Sequence, residues 1–394
     1  MDNRNQYGAE AKPRSYRRNK RKYGILNGPM FVKGKFDYTF LAIVLMIMIY
    51  GMIMLYSAGS SRAYVNFGDS FWYIKRQLAW AALGGGAMYF SSRFDYHLYG
   101  GKLASLLYTG TLALLILLLI GFGETRNGAT RWMFGFQPSE LAKIAIIVLF
   151  SYKLSLPSEQ KKLKSLQKGF LPYIGLLGIY IILIYLQPHL SCIILISLIA
   201  VILMFVAGTP MKHFGLLAVV AAIFLVVAIL FSPYRLERVL TFADPFADKQ
   251  GSGWQIVQSL YAIGSGGVFG VGLGKSRQKF LSLPEPHNDF IFSVLCEELG
   301  LIGAIVLIGL FIWLVIRGIK IAAKAPDLFG TLLVTGIIAI IALQALINIA
   351  VVTASIPVTG MPLPFFSYGG TALTITMAEI GVVLNVSRQS KLPL

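Results

Sequence analysis

An all-α polytopic integral membrane protein with ten transmembrane helices is the fold the sequence predicts, and three observations predict it. Of 394 residues, 56% are hydrophobic and only 13% are charged. Several apolar runs exceed eighteen residues with almost no charge, long enough to cross a hydrocarbon layer of roughly 30 Å as a helix. Lys and Arg crowd into alternate loops. Hydrocarbon offers no partner to main-chain polar groups, so each run is read as a helix.

Residues 1–37 read as a basic cytoplasmic arm, disordered, with ten Lys/Arg and two acids in 1–36. Spans are predicted at 38–57, 75–92, 103–122, 139–156, 170–187, 190–207, 214–232, 289–316, 329–354 and 367–387. They form one transmembrane domain, 38–390, ahead of a short tail, 391–394. The runs 170–187 and 190–207 divide at Pro188-His189, because together they are too long for one crossing. Termini and short loops on one side carry 23 Lys/Arg against 5 on the other. Both termini are therefore expected in the cytoplasm. The long segment 233–288 then becomes a large extracytoplasmic loop between helices 7 and 8.

The net charge is +18, of which +8 comes from residues 1–36. The run "RSYRRNKRK" (14–22) adjoins the first span, so anionic lipid is its expected partner and nucleic acid is not. No small-residue cleavage pattern marks a signal peptide. Cys192 and Cys296 fall in apolar runs, and His97, His189, His213 and His287 are scattered. No metal site or disulfide is expected from them.

Within the large loop, "GWQIVQSLYAIGSGG" spaces Trp254, Val257, Leu260 and Tyr261 as a short amphipathic helix at the membrane surface. Six glycines follow within 264–274. "GKS" at 274–276 does not complete a phosphate loop, since Phe269 stands where a glycine is required. What remains is a run of main-chain N–H groups beside Lys275, Arg277 and Lys279, a pattern that suits a pyrophosphate. An interfacial turn with solvated bases fits equally well.

Three acids mark the entry to the eighth span. Asp289 reads either as a first-turn acid favoured by the helix dipole or as a general base at the membrane boundary. Glu297 and Glu298 lie about 12–13 Å farther along. Acids inside a span are functional or paired; bonds to Lys143 or to Ser/Thr of neighbouring helices are expected. In "NGATRWMFGFQPSELAK" (127–143), Arg126 and Arg131 lie on the outer side. Glu140 and Lys143, three apart, can pair. Glu379 is a lone acid in the last span, expected to bond a neighbouring helix.

The stretches "NGATRW…QPSELAK", "GSGWQIVQSLYAIGSGGVFGVGLGKSRQK", "LPEPHNDFIFSVLCEELGLIG" and "LPFFSYGGT" (363–371) stand in this order along the chain. Together they resemble the SEDS family of shape, elongation, division and sporulation proteins (FtsW, RodA, SpoVE). "VVLNVSRQS" and "APDLFG" resemble the division and sporulation branch. The resemblance covers 38–390 and implies a peptidoglycan glycosyltransferase that polymerises lipid II at the outer membrane face, with loss of undecaprenyl pyrophosphate and inversion of the anomeric carbon. It implies that Asp289 is catalytic. It further implies a class B penicillin-binding protein as partner, among divisome or spore-septum proteins. A lipid II flippase and a non-enzymatic septal scaffold are the alternatives.

On that reading the substrate-binding candidates are Arg76, Arg131, Lys275, Arg277, Lys279, Glu285, His287 and Ser367, while Glu140, Lys143, Glu297 and Glu298 are intramembrane polar residues. No metal cage is legible; a divalent cation, Mg or Mn, is an option for neutralising the leaving group. The lipid tails are expected in a groove beside small residues such as "ALGGGA" (82–87), glycines that equally suit close helix packing. Three positions depart from the family's usual pattern: Asn288 stands where threonine is usual, His189 where an acid is usual, and Glu379 is atypical.

Overall fold

A computed structural model describes residues 34–390, apart from 127–128, 134, 248–250, 252 and 282. The basic arm lies almost wholly outside the described residues, as does the tail 391–394. The fold is helical. In chain order come α1 (Tyr38–Phe67), α2 (Trp72–Arg93), α3 (Lys102–Leu117), a two-stranded hairpin of β1 (Glu124–Arg126) and β2 (Ala129–Trp132), α4 (Pro138–Ser155) and α5 (Pro157–Lys162). Then follow α6 (Leu171–Leu186), α7 (Leu190–Val206), α8 (Met211–Leu230), α9 (Pro233–Ala243), α10 (Trp254–Gly266), α11 (Gln278–Leu281), α12 (Ile291–Ala323), α13 (Leu328–Val352) and α14 (Gly370–Arg388).

Seven helical stretches among the described residues are long and apolar enough to cross a membrane. α7 is apolar but shorter, and α2 and α4 carry charges within their length, Lys75 and Arg76 in one, Glu140 and Lys143 in the other. The chain is a multi-pass membrane protein. α6 and α7 break at Gln187-Pro188-His189, because proline's missing N–H and ring end a helix there. α1 runs ten residues beyond its predicted end at 57, since nothing interrupts it before Gly68. That glycine closes it at φ +71 with its N–H on Tyr64 O, a left-handed cap.

Long-range polar contacts tie distant helices together. Asp37 caps α1 by accepting from Phe40 N at 2.9 Å and also accepts from Arg317 Nε of α12 at 2.7 Å. Close packing of α2 on α14 uses Gly84 and Gly381. A methyl on Gly84 would strike Met377 Sδ, whereas Gly85 and Gly86 meet nothing. Gly84 thus answers for helix packing within "ALGGGA". At one end of the bundle His97 bridges Asp95 and Asp327, each at 2.7 Å. Burial pulls the imidazole down, but its bonds to Asp327 and Asp95 outweigh that and lift it to about 9.

The α8–α12 segment explains the glycine run. α12 is interrupted at Gly300, φ 66 and ψ −163. The interruption leaves main-chain groups without helical partners, which an apolar setting does not tolerate. Residues 267–272 supply them: Val271 N and Gly272 N donate to Glu297 O and Glu298 O, both at 3.0 Å, while Leu301 N and Ile302 N donate to Gly267 O and Val268 O. Side chains at Gly266, Gly270 or Gly300 would collide with the facing main chain. These glycines permit backbone-to-backbone contact. α10 is present as predicted, but its buried face is Ile256, Val257, Gln258, Ser259 and Ala262, and Tyr261 is exposed. It packs into the bundle against α12, and buried Ser259 bonds Ser293 Oγ at 2.7 Å and Val352 O at 2.6 Å. A polar face inside the bundle is why apolar spacing alone misassigned its orientation.

Candidate functional site

A cavity of about 1690 Å³ opens between the helices, lined by residues of α2, α4, α7, α9, α14 and the loops beside them. Asp289 stands on its wall, two residues before α12 begins. The chain there is held by main-chain bonds. Ser367 Oγ donates to Asn288 O at 2.7 Å and itself accepts from Leu363 N at 2.8 Å. Tyr368 N donates to His287 O at 2.9 Å. Asn348 Nδ2 donates to both Asp289 O (2.8 Å) and Met361 O (2.7 Å). These bonds fix the backbone of 287–289 and use none of the Asp289 carboxylate. Burial, then the charge of Glu285, pushes that carboxyl up to about 6 against the opposing pull of Arg238 and Arg131.

Of the sequence candidates, Arg76, Arg131, Glu140, Lys143, Glu285 and Ser367 share this cavity with Asp289. Arg76 lies over the Trp72 ring, 4.1 Å from its centroid. Arg131, carried by β2, donates to Gln187 O at 3.4 Å and to Pro188 O. Lys143 and Glu140 pair at 2.7 Å. Glu285 accepts from Asn288 Nδ2 at 2.8 Å, so the departure at position 288 keeps a polar link to the site.

The rest lie elsewhere. His287 is buried with its ring 4.1 Å from that of Tyr73; burial draws it down to about 4. Lys279, expected beside a pyrophosphate, is instead buried and paired with Glu298 at 2.7 Å. Lys275 and Arg277 are exposed and do not line the cavity. Glu298 also accepts from Ser57 of α1 at 2.5 Å. Glu297 accepts from Ser276 Oγ at 2.5 Å and Arg277 N at 2.8 Å. Glu298 therefore meets a serine of a neighbouring helix, as expected, but Lys279 and not Lys143, while Glu297 meets Ser276 of the loop before α11. Glu379 is buried with Oε1 lacking a hydrogen-bond partner; it lies within the field of Lys143 and Glu140, so the expected bond to a neighbouring helix is absent.

Two contributors, Arg238 and Asn348, escaped the sequence reading, and His189 was noted only as a departure from the family's pattern. Arg238 of α9 lines the cavity, and its only advance sign was a basic residue in a short polar helix. Asn348 sits in an apolar run, where a buried amide signals a main-chain staple. His189 lines the wall with Nδ1 3.4 Å from Ser139 Oγ. Burial first, then Arg131 and Lys143, holds it down at about 3, so it is neutral and does not replace a carboxylate's charge. Among the described residues no three acids, histidines or cysteines gather as metal ligands.

Comparison with known proteins agrees with this architecture along nearly the whole chain. Stage V sporulation protein E of Bacillus subtilis is 43% identical over 359 residues, covering 90% of this chain and 98% of its own. A probable peptidoglycan glycosyltransferase FtsW of Trichlorobacter lovleyi is 41% identical over 372 residues, covering 93% and 97%. A solved chain described under structural coordination of polymerization and crosslinking by a peptidoglycan synthase complex superposes with a TM-score of 0.74 at 31% identity, covering 90% of this chain and 98% of that one. The rod shape determining protein RodA of Thermus thermophilus gives 0.67 at 27% identity, covering 91% and 98%. A family model described as "Cell cycle protein", for FtsW, RodA and SpoVE, matches residues 37–392. On the match of the family model over 37–392 and these identities along nearly the whole chain, this chain belongs to the FtsW/RodA/SpoVE family.

Proposed function

We propose that this chain is a peptidoglycan glycosyltransferase that polymerises lipid II, with Asp289 as general base. The observation that carries the reading is the Asp289 carboxyl on the wall of the large cavity, held by its backbone, raised to about 6 and facing two arginines. A base of that strength is largely ionised at neutral pH and still basic enough to take a hydroxyl proton as attack begins. The acceptor sugar's 4-hydroxyl attacks the anomeric carbon of a second lipid-linked sugar. Its proton passes to Asp289, the carbon–oxygen bond to the diphosphate breaks, and the electron pair leaves on the diphosphate. Direct displacement inverts the anomeric carbon. Arginines on the wall meet the developing negative charge. Asp289 and Glu285 offer an Mg or Mn ion fewer carboxylates than an all-protein cage needs; such an ion would be held partly by substrate oxygens.

The reading extends to topology and partners. Ten crossings follow if α2, α4 and α7 join the seven longest apolar stretches, with both termini cytoplasmic and the α8–α12 segment outside, which puts Asp289 at the outer boundary. The likeness to a chain from a peptidoglycan synthase complex supports a crosslinking partner of the class B penicillin-binding kind, at a division or spore septum. The test is polymerisation of purified lipid II by wild type and Asp289→Ala, with and without that partner. Long strands from wild type and none from the variant are expected. No polymer from a folded wild-type complex, with lipid II transport that survives Asp289→Ala, would replace this reading with a flippase.

A further inference from the structure

Next to Asp289 the cavity wall is a strap of main chain, residues 358–361, pinned from three helices. Arg238 of α9 donates from Nη1 to Val358 O at 2.6 Å. Ser191 of α7 donates to Thr359 O at 2.5 Å. Asn348 of α13 donates to Met361 O at 2.7 Å. Between them Gly360 takes φ +65, and a Cβ there would stand 3.4 Å from Asp289 Oδ2. The Arg238 guanidinium thus ends on Val358, two positions from the glycine whose Cβ would meet the carboxylate. Arg131 enters the same cavity from β2, anchored on the carbonyls at 187 and 188. Both charges bear on Asp289. Meanwhile Lys279, a cation the sequence offered for this role, is committed to Glu298.

We propose that Arg238 is a further catalytic residue, which with Arg131 holds the diphosphate of the bound lipid-linked sugar and receives its charge as it departs. The proposal rests on the glycosyltransferase reading. Two guanidinium groups, each a rigid fork of donors, match two phosphoryl groups better than one. The step needs no other reactant: one carbon–oxygen bond breaks, its electron pair stays with the diphosphate, and the hydroxyl proton goes to Asp289. Anchoring on main-chain carbonyls sets both guanidinium groups in place before substrate arrives, so little reorganisation is required.

The rival is that Arg238 only pins the strap. Ser191→Ala removes a pin without removing a charge, which separates the two. The experiment measures binding of fluorescent undecaprenyl diphosphate and undecaprenyl monophosphate to the purified full-length chain, with thermal unfolding of each variant alongside. Arg238→Gln is expected to weaken diphosphate binding about tenfold and monophosphate binding about threefold or less. Ser191→Ala should leave the ratio of the two affinities as in wild type. Arg238→Lys, which keeps the charge and a donor for Val358 but loses the fork, should also lose the preference and serves if Arg238→Gln does not fold. An unchanged ratio in both Arg238 variants, or an equal change in Ser191→Ala, overturns the proposal. Polymerisation by wild type is scored separately: its absence counts against the glycosyltransferase reading, while the affinity ratio still reads the clamp.

Discussion

Asp289 and the Glu297–Glu298 pair lie within ten residues of one another, yet their surroundings are opposite. Every carboxylate of the pair is supplied with donors, from Ser57, Ser276, Arg277 N and the Lys279 ammonium, and both glutamates are shut away from the cavity. Asp289 has its carbonyl held by Asn348 and lines the cavity. The difference teaches what burial of an acid can be for. Where donors saturate it, the acid is a fastener, here joining the glycine run and α1 to α12. Where burial comes without donors, the acid is left basic.

The comparison breaks most visibly if Asp289→Asn retains activity. Loss of the base is expected to lower the polymerisation rate at least about 10²- to 10⁴-fold. The same variant should be more heat-stable than wild type at neutral pH. Because the native carboxyl is raised to about 6, its ionised form favours the unfolded state; the protein's stability is fullest below the unfolded value near 4 and declines as pH rises through 6. Rate and melting temperature measured on one preparation check both.

Glu298→Gln should do the reverse. It strands the buried Lys279 ammonium, at about 3–5 kcal/mol, and chain yield and thermal unfolding are expected to fall before any catalytic effect is seen. Replacing both partners, Glu298→Gln with Lys279→Met, should recover much of that loss. Gly300→Ala is next, at roughly 1–3 kcal/mol, since its φ of 66 and the facing backbone at 268–270 leave no place for a methyl; thermal unfolding reads it. A smaller effect comes from pH. The wild-type polymerisation rate should rise about tenfold per pH unit below 6 and level above it, with the bend at the Asp289 value. Smallest of all, Lys275→Ala with Arg277→Ala should change the rate less than about twofold, because neither side chain lines the cavity. A large loss there would return the glycine run to the site.

The helix pattern was legible because a membrane imposes it: α6 and α7, for instance, part at the proline where the run of apolar residues became too long. Asp289 was visible as an acid at the mouth of an apolar helix, where the helix dipole explains it as well as catalysis does; only the family resemblance pointed to the base. The glycine run was not legible. Its residue types fit a phosphate loop and a backbone-to-backbone seam alike, and the seam shows only in the break at Gly300, which no proline marks in the sequence. Arg238 was hidden for a related reason. Its value lies in which strap of chain it reaches, more than a hundred residues away, and no local pattern encodes that.

The close union of α2 with α14 has a consequence for how the protein is made. Gln77 Nε2 donates to Ser367 O at 3.2 Å, Asn385 Nδ2 donates to Ser92 O at 3.0 Å, and Asp37 N donates to Ser387 Oγ at 3.1 Å. Each joins a helix that leaves the ribosome early to a segment that leaves last. Until residues 367–387 emerge, the Gln77 amide, the Ser92 carbonyl and the Asp37 N–H lack these partners. The last helix therefore completes polar pairings that begin at the first, and a chain stopped before residue 370 lacks the partners of the Ser92 carbonyl and the Asp37 N–H.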